Sequence, residues 1–232
     1  MTPTLHLLLA TAAFVGTHLA LSHPLRAALV ARLGPGAFLG LYSLIAAATL
    51  IWMWLAANAM PYEIPRWLAP QWFWEWGAPV IMLLVAILLA GSLIRNPAFP
   101  NPGASAAEGA MRPATGVFAI TRHPMNWAFM LWAATHIALI GSTDNLIIAI
   151  GILVLALFGS LLQDRKKAGL LGDAWRGWEA RTSFVPFGAL LDGRIPWRAA
   201  APGLHALAAG VVIWLVATWL HQMPVGIWRW IG

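Results

Sequence analysis

The sequence contains no cysteine in its 232 residues. This absence excludes disulfide bonds, thiolate metal ligands, cysteine nucleophiles and covalent haem attachment through a Cys-x-x-Cys-His motif. Any haem would therefore be bound non-covalently, through histidine or methionine side chains.

Charged side chains are also scarce. They make up 9% of the residues, while hydrophobic residues make up 60%; soluble domains carry roughly a quarter charged residues. A membrane-spanning helix needs about 20 mostly apolar residues, and six segments meet or approach that length: 4–22, 37–57, 78–94, 125–140, 145–162 and 205–220. The sequence therefore predicts an all-α protein, a polytopic integral membrane six-helix bundle that forms a single transmembrane domain over residues 1–232.

The basic residues predict how these helices cross the membrane. Twelve of the 14 Lys and Arg residues lie in the linkers after the first, third and fifth segments. Because Lys and Arg favour the cytoplasmic side, we expect both termini on the outer, periplasmic side of a bacterial inner membrane. The first basic residue is Arg26, so the first segment is not expected to be a signal peptide. The net charge of +6 then reflects topology, and no nucleic-acid partner is expected.

Two of the cytoplasmic linkers are long. Residues 95–121 are rich in Pro, Gly and small side chains and predict a loop without helical periodicity. Residues 163–198 alternate charges with apolar side chains at near-helical spacing, which predicts a cytoplasmic amphipathic segment that breaks at Gly172. Its apolar positions are Leu170, Leu171, Trp175 and Trp178. This segment would either anchor to lipid headgroups or cover a cavity as a lid.

Two histidines, His18 and His136, lie inside apolar stretches. An ionisable group at membrane depth costs up to ~3 kcal/mol on insertion scales, and such groups mark functional sites. Neutral imidazole can coordinate a metal, so the pair indicates a bound metal or haem. The alternative is a neutral buried histidine that hydrogen-bonds a neighbouring helix.

A third histidine belongs to the string Thr121-Arg122-His123-Pro124, which opens the fourth segment. Pro124 suits the first turn of a helix, so the string is also compatible with an interfacial anchor and a helix start.

Several strings in a fixed order carry a family resemblance. They are Phe14-x-x-x-His18 with Pro24-Leu25-Arg26, then Leu39-Gly40-Leu41-Tyr42-Ser43, Thr121-Arg122-His123-Pro124, Leu131-Trp132-x-x-x-His136, Asp164-Arg165-Lys166 and Thr182-Ser183-Phe184-Val185-Pro186-Phe187. Together they resemble the NnrU family over roughly residues 10–190. That family is similar to the zeta-carotene isomerases of plants and cyanobacteria.

The resemblance implies a cofactor and its ligands. Zeta-carotene isomerases are integral membrane proteins that bind haem b, and their two histidine ligands fall here on His18 and His136, which would then be the catalytic residues. The isomerase cysteine three residues before the second histidine is Ala133 here, so a ligand switch through that cysteine is not expected. The implied activity is a haem-dependent, redox-gated cis–trans isomerisation of a hydrophobic, carotenoid-like polyene.

Two other activities are compatible with an iron in an apolar helix bundle. NnrU proteins are associated with nitrite and nitric oxide metabolism, which would make the ligand a dissolved gas in a denitrification-linked role. Electron transfer with a redox partner is the second. A transport or purely structural role is a further alternative, although no helix other than those with histidine carries a charged stripe that would line a pathway.

A rival resemblance rests on the cytoplasmic motifs. Arg122-His123-Pro124 followed by Asp164-Arg165 is similar to the membrane methyltransferases of the isoprenylcysteine and phospholipid type, which use S-adenosylmethionine. The chain departs from their pattern, because Asn126 replaces a tyrosine and Gln163-Asp164 replaces a Glu-Glu pair. The shared features therefore favour a common scaffold without the methyl-donor site.

The predicted topology brings five polar residues to the cytoplasmic ends of the fourth and fifth segments: Arg122, His123, Asn126, Asp164 and Arg165. We expect Asp164 to pair with Arg122, and the basic side chains to lie where they could bind haem propionates. The alternative is a plain interfacial salt bridge. His123 could also replace His136 as the partner ligand of His18. At 1.5 Å per residue, His18 and His136 differ in predicted depth by about 9 Å, so a shared iron would need oblique imidazoles.

Overall fold

The computed structural model describes residues 1–97, 106–221 and 225–231, and within these ranges the regular structure is helical. The longer helices are α1 (Pro3–Ser22), α2 (Arg26–Asn58), α3 (Ala78–Ser92, preceded by a π-helical turn at Phe73–Gly77), α6 (Pro124–Leu139), α7 (Thr143–Leu171) and α10 (Leu204–Trp219). The shorter ones are α4 (Ala106–Met111), α5 (Val117–Ile120), α8 (Asp173–Arg181), α9 (Gly188–Leu191) and α11 (Ile227–Trp230), with a 3₁₀ turn at Trp197–Ala200. The chain is therefore all-helical, as predicted.

Four helical stretches in the described ranges are long and apolar enough to cross a membrane: Pro3–Ser22, Arg26–Asn58, Phe73–Ser92 and Thr143–Leu171. Helix α10 is apolar but shorter, with 16 residues. Helix α6 also has 16 residues. The count of six spans and the outward termini stay predictions.

Helix α2 begins at Arg26, eleven residues before the predicted start of the second segment. Gly34 has φ 77° and ψ 162°, a conformation outside the helical region that a glycine adopts without steric cost, and Pro35 follows it. Proline fits the first turn of a helix, so Pro35 starts a second helical piece directly after the kink. The predicted linker is therefore itself helical.

The predictions for the cytoplasmic linkers are partly wrong. The loop predicted at 95–121 contains the short helices α4 and α5, and its residues 98–105 lie outside the described part of the chain. In the second linker the break at Gly172 is confirmed, with φ 55°. Trp175 and Trp178 are 0% and 2% exposed, so they pack in a protein core and do not anchor to lipid headgroups.

The contacts within the described residues define two compact units. Unit 1 contains residues 1–69 and 133–162, and unit 2 contains residues 70–132 and 163–232. Each is described separately, and the single domain over residues 1–232 stays a prediction.

Unit 1 has a small core in which the antiparallel pair α1 and α2 packs against the first half of α7. Its buried side chains are Leu7, Ala10, Phe14, Met53 and Ala56. The closest approach of α1 to α7 is at Gly151, where a Cβ atom would lie 2.4 Å from the Cγ2 methyl of Thr11. The absence of a side chain at Gly151 therefore allows these two helices to meet.

The loop after α2 holds the turn between α6 and α7. The Trp67 Nε1–H group donates to the Ile137 carbonyl at 2.9 Å, and Arg66 Nη1 donates to the Gly141 carbonyl at 3.1 Å. Glu63 accepts the Thr143 backbone N–H and so caps the first turn of α7. Hydrogen bonds from Thr143, helped by the Arg66 guanidinium, hold the pKa of the Glu63 carboxyl below its usual value. This cap therefore stabilises the fold above the ordinary glutamate pKa and is lost as the pH falls through the lowered pKa.

Unit 2 is built on the close packing of α3 and α10. A Cβ atom on Gly210 would lie 2.8 Å from the Ile87 Cα, so the two helix backbones nearly touch. The Trp214 Nε1–H group donates to the Pro79 carbonyl at 2.9 Å. Trp175 and Trp178 of α8 belong to the neighbouring core, with Val117 and Phe118 of α5.

Gly151→Ala should destabilise the protein. The new methyl group would clash with a stiff β-branched side chain, and overpacking of this kind costs about 1–3 kcal/mol. The matched control is Gly159→Ala on the same helix, where a Cβ atom meets nothing within 4 Å; alanine there should be neutral or stabilising by up to ~1 kcal/mol. Thermal unfolding in one detergent measures both variants, and equal melting temperatures would contradict this view of the α1–α7 contact.

Candidate functional site

His18 lies near the end of α1 in unit 1, and its side chain is half-buried. Its Nδ1 atom is 2.8 Å from the carbonyl oxygen of Phe14, one turn earlier on the same helix. When Nδ1–H donates to this carbonyl, the lone pair is on Nε2, which points away from the helix backbone. Histidines that bind metals usually have this arrangement, with the second ring nitrogen fixed by a carbonyl or carboxylate.

Two aromatic rings and a hydroxyl surround this imidazole. The Phe14 ring centroid is 4.3 Å away, and the Tyr42 ring lies edge-on at 5.6 Å. The Tyr42 hydroxyl accepts a hydrogen bond from Ser22 at 3.3 Å. Sequence reasoning missed the role of Tyr42, although Tyr42 is one of only two tyrosines in the chain and lies within a motif that carries the family resemblance.

His136 lies one turn before the end of α6, and its side chain is half-buried. Its carbonyl oxygen accepts hydrogen bonds from the Asn145 side chain at 2.9 Å and from the Ile140 N–H at 3.2 Å. Asn145 also donates to the Ile140 carbonyl at 2.7 Å. These bonds place His136 at the level of the first turn of α7.

The helix register gives the level of His18 relative to α7. The loop after α2 contacts the start of α7, so α1 and α7 run in the same direction, and Gly151 lies beside Thr11 and Val15. His18 is then about level with residue 157 of α7, roughly 12 residues or 18 Å along the helix axis from Asn145. His136 is a full turn of α6 farther from the α6–α7 turn than Ile140, which Asn145 also bonds, so the two imidazoles are closer in depth than this distance, and a shared iron stays a prediction.

A second cluster lies in unit 2 around the carboxylate of Asp164. Arg122 donates to Oδ2 through Nε at 2.8 Å and Nη2 at 2.7 Å, which confirms the predicted pair. His123 was not predicted to join it, yet its Nε2 atom is 2.8 Å from Oδ1. The three side chains are only 15%, 1% and 12% exposed for Arg122, His123 and Asp164, so this Asp164 cluster is not a plain interfacial salt bridge.

Two motifs that are distant in the sequence meet beside the Asp164 cluster. The Arg122 N–H donates to the Ser183 carbonyl at 2.9 Å. The Phe184 carbonyl accepts from the Thr121 hydroxyl at 2.7 Å and from Trp127 Nε1 at 2.8 Å. The segment 182–187 therefore holds the start of α6, which gives a physical reason for the joint appearance of both strings.

The other predicted residues of this region contribute less. Arg165 is exposed, whereas Asn126 is half-buried and lines a small cleft beside His123 and Gln163. That cleft has a volume of about 10 Å³, enough for roughly one water molecule. It is far too small for S-adenosylmethionine, which counts against the methyltransferase alternative.

The donor chemistry of His18 fits haem better than a free metal ion. Across the described ranges, no group of three or more His, Asp or Glu side chains is placed to hold a metal ion. A porphyrin supplies four nitrogen ligands itself, so one imidazole with a free Nε2 is sufficient on the protein side. Asp164 already balances the charge of Arg122. A contact between this cluster and a haem propionate stays a prediction.

Several helices of membrane-spanning length and composition define the class as an all-helical protein of membrane type. The family model described as NnrU protein matches residues 6–229, and the chain therefore belongs to the NnrU family. Similar curated proteins are the 15-cis-zeta-carotene isomerases, chloroplastic, of Zea mays and Arabidopsis thaliana. Each is 35% identical over 80 residues, which cover 34% of this chain and 22% of the relative. The match thus spans about a fifth of the length of these relatives. No solved structure matches.

Asp164→Ala should destabilise the protein strongly. It would leave the Arg122 guanidinium and the His123 ring without their shared partner in a buried site, and breaking such a pair costs about 3–5 kcal/mol. Asp164→Asn, which keeps one acceptor, should cost less. The control is Asp173→Ala, whose bridge to Arg176 is exposed and should be worth under ~1 kcal/mol. Thermal unfolding distinguishes these cases; equal losses for Asp164→Ala and Asp173→Ala would show that the cluster is not structural.

Proposed function

We propose that this NnrU protein is a membrane-integrated haem b protein that isomerises a cis double bond in a carotenoid-like polyene. The named relatives are isomerases of 15-cis-zeta-carotene, which supports the substrate class. The apolar helices support a location in a membrane, where such a substrate dissolves. We further propose six spans, with both termini on the periplasmic side of a bacterial inner membrane.

The observation that carries the proposal is the geometry of His18. Its Nδ1 atom is fixed by the Phe14 carbonyl at 2.8 Å, so the Nε2 lone pair is available on a helix of membrane-spanning length. The rings of Phe14 and Tyr42 lie against this imidazole, which is half-buried.

His18 would hold the haem, and its bond to the Phe14 carbonyl would orient the imidazole and tune its basicity. Bound haem would supply an iron able to polarise a polyene double bond. Isomerisation moves no atom or net electron between molecules, so the chain needs no site for a second substrate.

We propose His18 as a haem ligand, and His136 stays a candidate for a second ligand that the variants below test. Haem held by His18 could also bind a dissolved gas. Nitric oxide binding is therefore the second candidate function, with a redox partner in that case.

The first test is the absorption spectrum of the protein purified after expression with added haem. We expect a Soret band that falls roughly tenfold or more in His18→Ala and persists in His136→Ala and His123→Ala. The matched control is His221→Ala, because the Nδ1 atom of His221 also contacts a backbone carbonyl, that of Ala217, at 2.6 Å, but at an exposed helix end. Absence of a Soret band in the wild type refutes haem binding, and its loss in His136→Ala would identify His136 as a further ligand.

The second test addresses the activity. Reduced, haem-loaded protein in lipid should convert poly-cis zeta-carotene to a less cis isomer profile, as measured by chromatography, and His18→Ala should not. An unchanged profile together with a nitric oxide-dependent shift of the Soret band would favour the second candidate.

A further inference from the structure

We infer that a groove between α1 and α7 in unit 1 binds the hydrocarbon chain of a neutral polyene and leads it to His18. The inference rests on the proposed function and names the site of its substrate. The groove has a volume of about 390 Å³, within the range of small-molecule sites. Its walls include Leu8, Ala12, Val15, Ile147, Ile150 and Val154.

The close helix contact forms the floor of the groove. Gly151 and Thr11 meet there, while larger apolar side chains on both sides of this contact project as walls. Residues 8 to 15 of α1 extend about 10 Å along the axis. The groove therefore holds a segment of a long chain, and the ends of that chain would extend into the lipid.

The groove points to His18 by helix geometry. Residues at spacings of three, four and seven share one face of a helix, and Leu8, Thr11, Val15 and His18 follow these spacings on α1. His18 is one turn beyond Val15. On α7, Gly159 lies about 3 Å beyond this level, and a Cβ atom there would meet nothing within 4 Å. No side chain of that residue therefore blocks a chain that continues beyond the imidazole.

The mouth of the groove favours a neutral occupant over an anionic lipid. Arg66 lies there, but it donates to the Gly141 carbonyl at 3.1 Å and to the Thr143 hydroxyl at 3.0 Å. The Glu63 carboxylate, 3.8 Å away, balances its charge. The other lining residues are uncharged, so a phosphate group would find no unbalanced cation at this site.

The choice of a polyene over a saturated chain rests on the proposed function, since the named relatives are isomerases of 15-cis-zeta-carotene. The Thr11 hydroxyl does not add to this choice, because its oxygen is buried and lies out of reach of a chain in the groove.

The experiment measures carotenoid bound to the full chain in lipid nanodiscs loaded with poly-cis zeta-carotene, relative to empty nanodiscs. We expect about one equivalent with the wild type and a loss of roughly fivefold or more in Ala12→Phe, which fills the groove. Ala47→Phe, an exposed position on α2 outside the groove, should retain carotenoid. If Ala12→Phe does not fold, Val154→Phe on the opposite wall of the groove should show the same loss of bound carotenoid.

The possible outcomes distinguish an error in the binding site from an error in the proposed function. Full retention and isomerisation in Ala12→Phe and Val154→Phe would overturn the groove and leave the proposed function intact. No excess carotenoid and no isomerisation with the wild type would overturn both. If squalane, a saturated hydrocarbon, displaces zeta-carotene as well as unlabelled zeta-carotene does, the groove does not select a polyene and the inference fails. A Soret band unchanged in Ala12→Phe would show that the effect is not a loss of haem.

Discussion

The close contact of α1 with α7 determines most of what unit 1 can do. It depends on one residue without a side chain, Gly151, which meets Thr11. The contact fixes the register of the two helices, and the register sets the depth of His18 relative to the turn after α6. It also leaves the apolar groove on one side. The chain has few charges, and the candidate site is therefore positioned by the fit of two helix surfaces and not by ion pairs.

The few buried charges follow a different rule. The Asp164 carboxylate accepts hydrogen bonds from both Arg122 and His123, and all three side chains are largely buried. Such an arrangement is tolerable because the hydrogen bonds offset the cost of desolvation. The neighbouring carbonyls of Ser183 and Phe184 add neutral acceptors. Unit 2 is thus held around a polar centre, and unit 1 around an apolar contact.

The sequence predicted the apolar helices and the Arg122–Asp164 pair because both depend on local composition and linker length. It did not predict the long α2, since Gly34 and Pro35 look like a loop until the kink is seen to continue as helix. The burial of Trp175 and Trp178 was missed because an amphipathic pattern is the same for a helix on lipid and one on a protein core. The contact of Thr11 with Gly151 was not predicted, because helix length alone cannot give the register of non-adjacent helices.

The carboxylate that caps α7 has a consequence for biosynthesis. Glu63 precedes Thr143 by 80 residues. The ribosome therefore synthesises Glu63, the capping residue, well before it synthesises α7, the helix that Glu63 caps. The α1–α2 hairpin and its following loop must therefore wait, with Glu63 paired only to its neighbour Arg66, until the α6–α7 hairpin arrives. The order of translation makes the N-terminal hairpin the template and the later hairpin the part that docks, and the groove between α1 and α7 is completed only at that step.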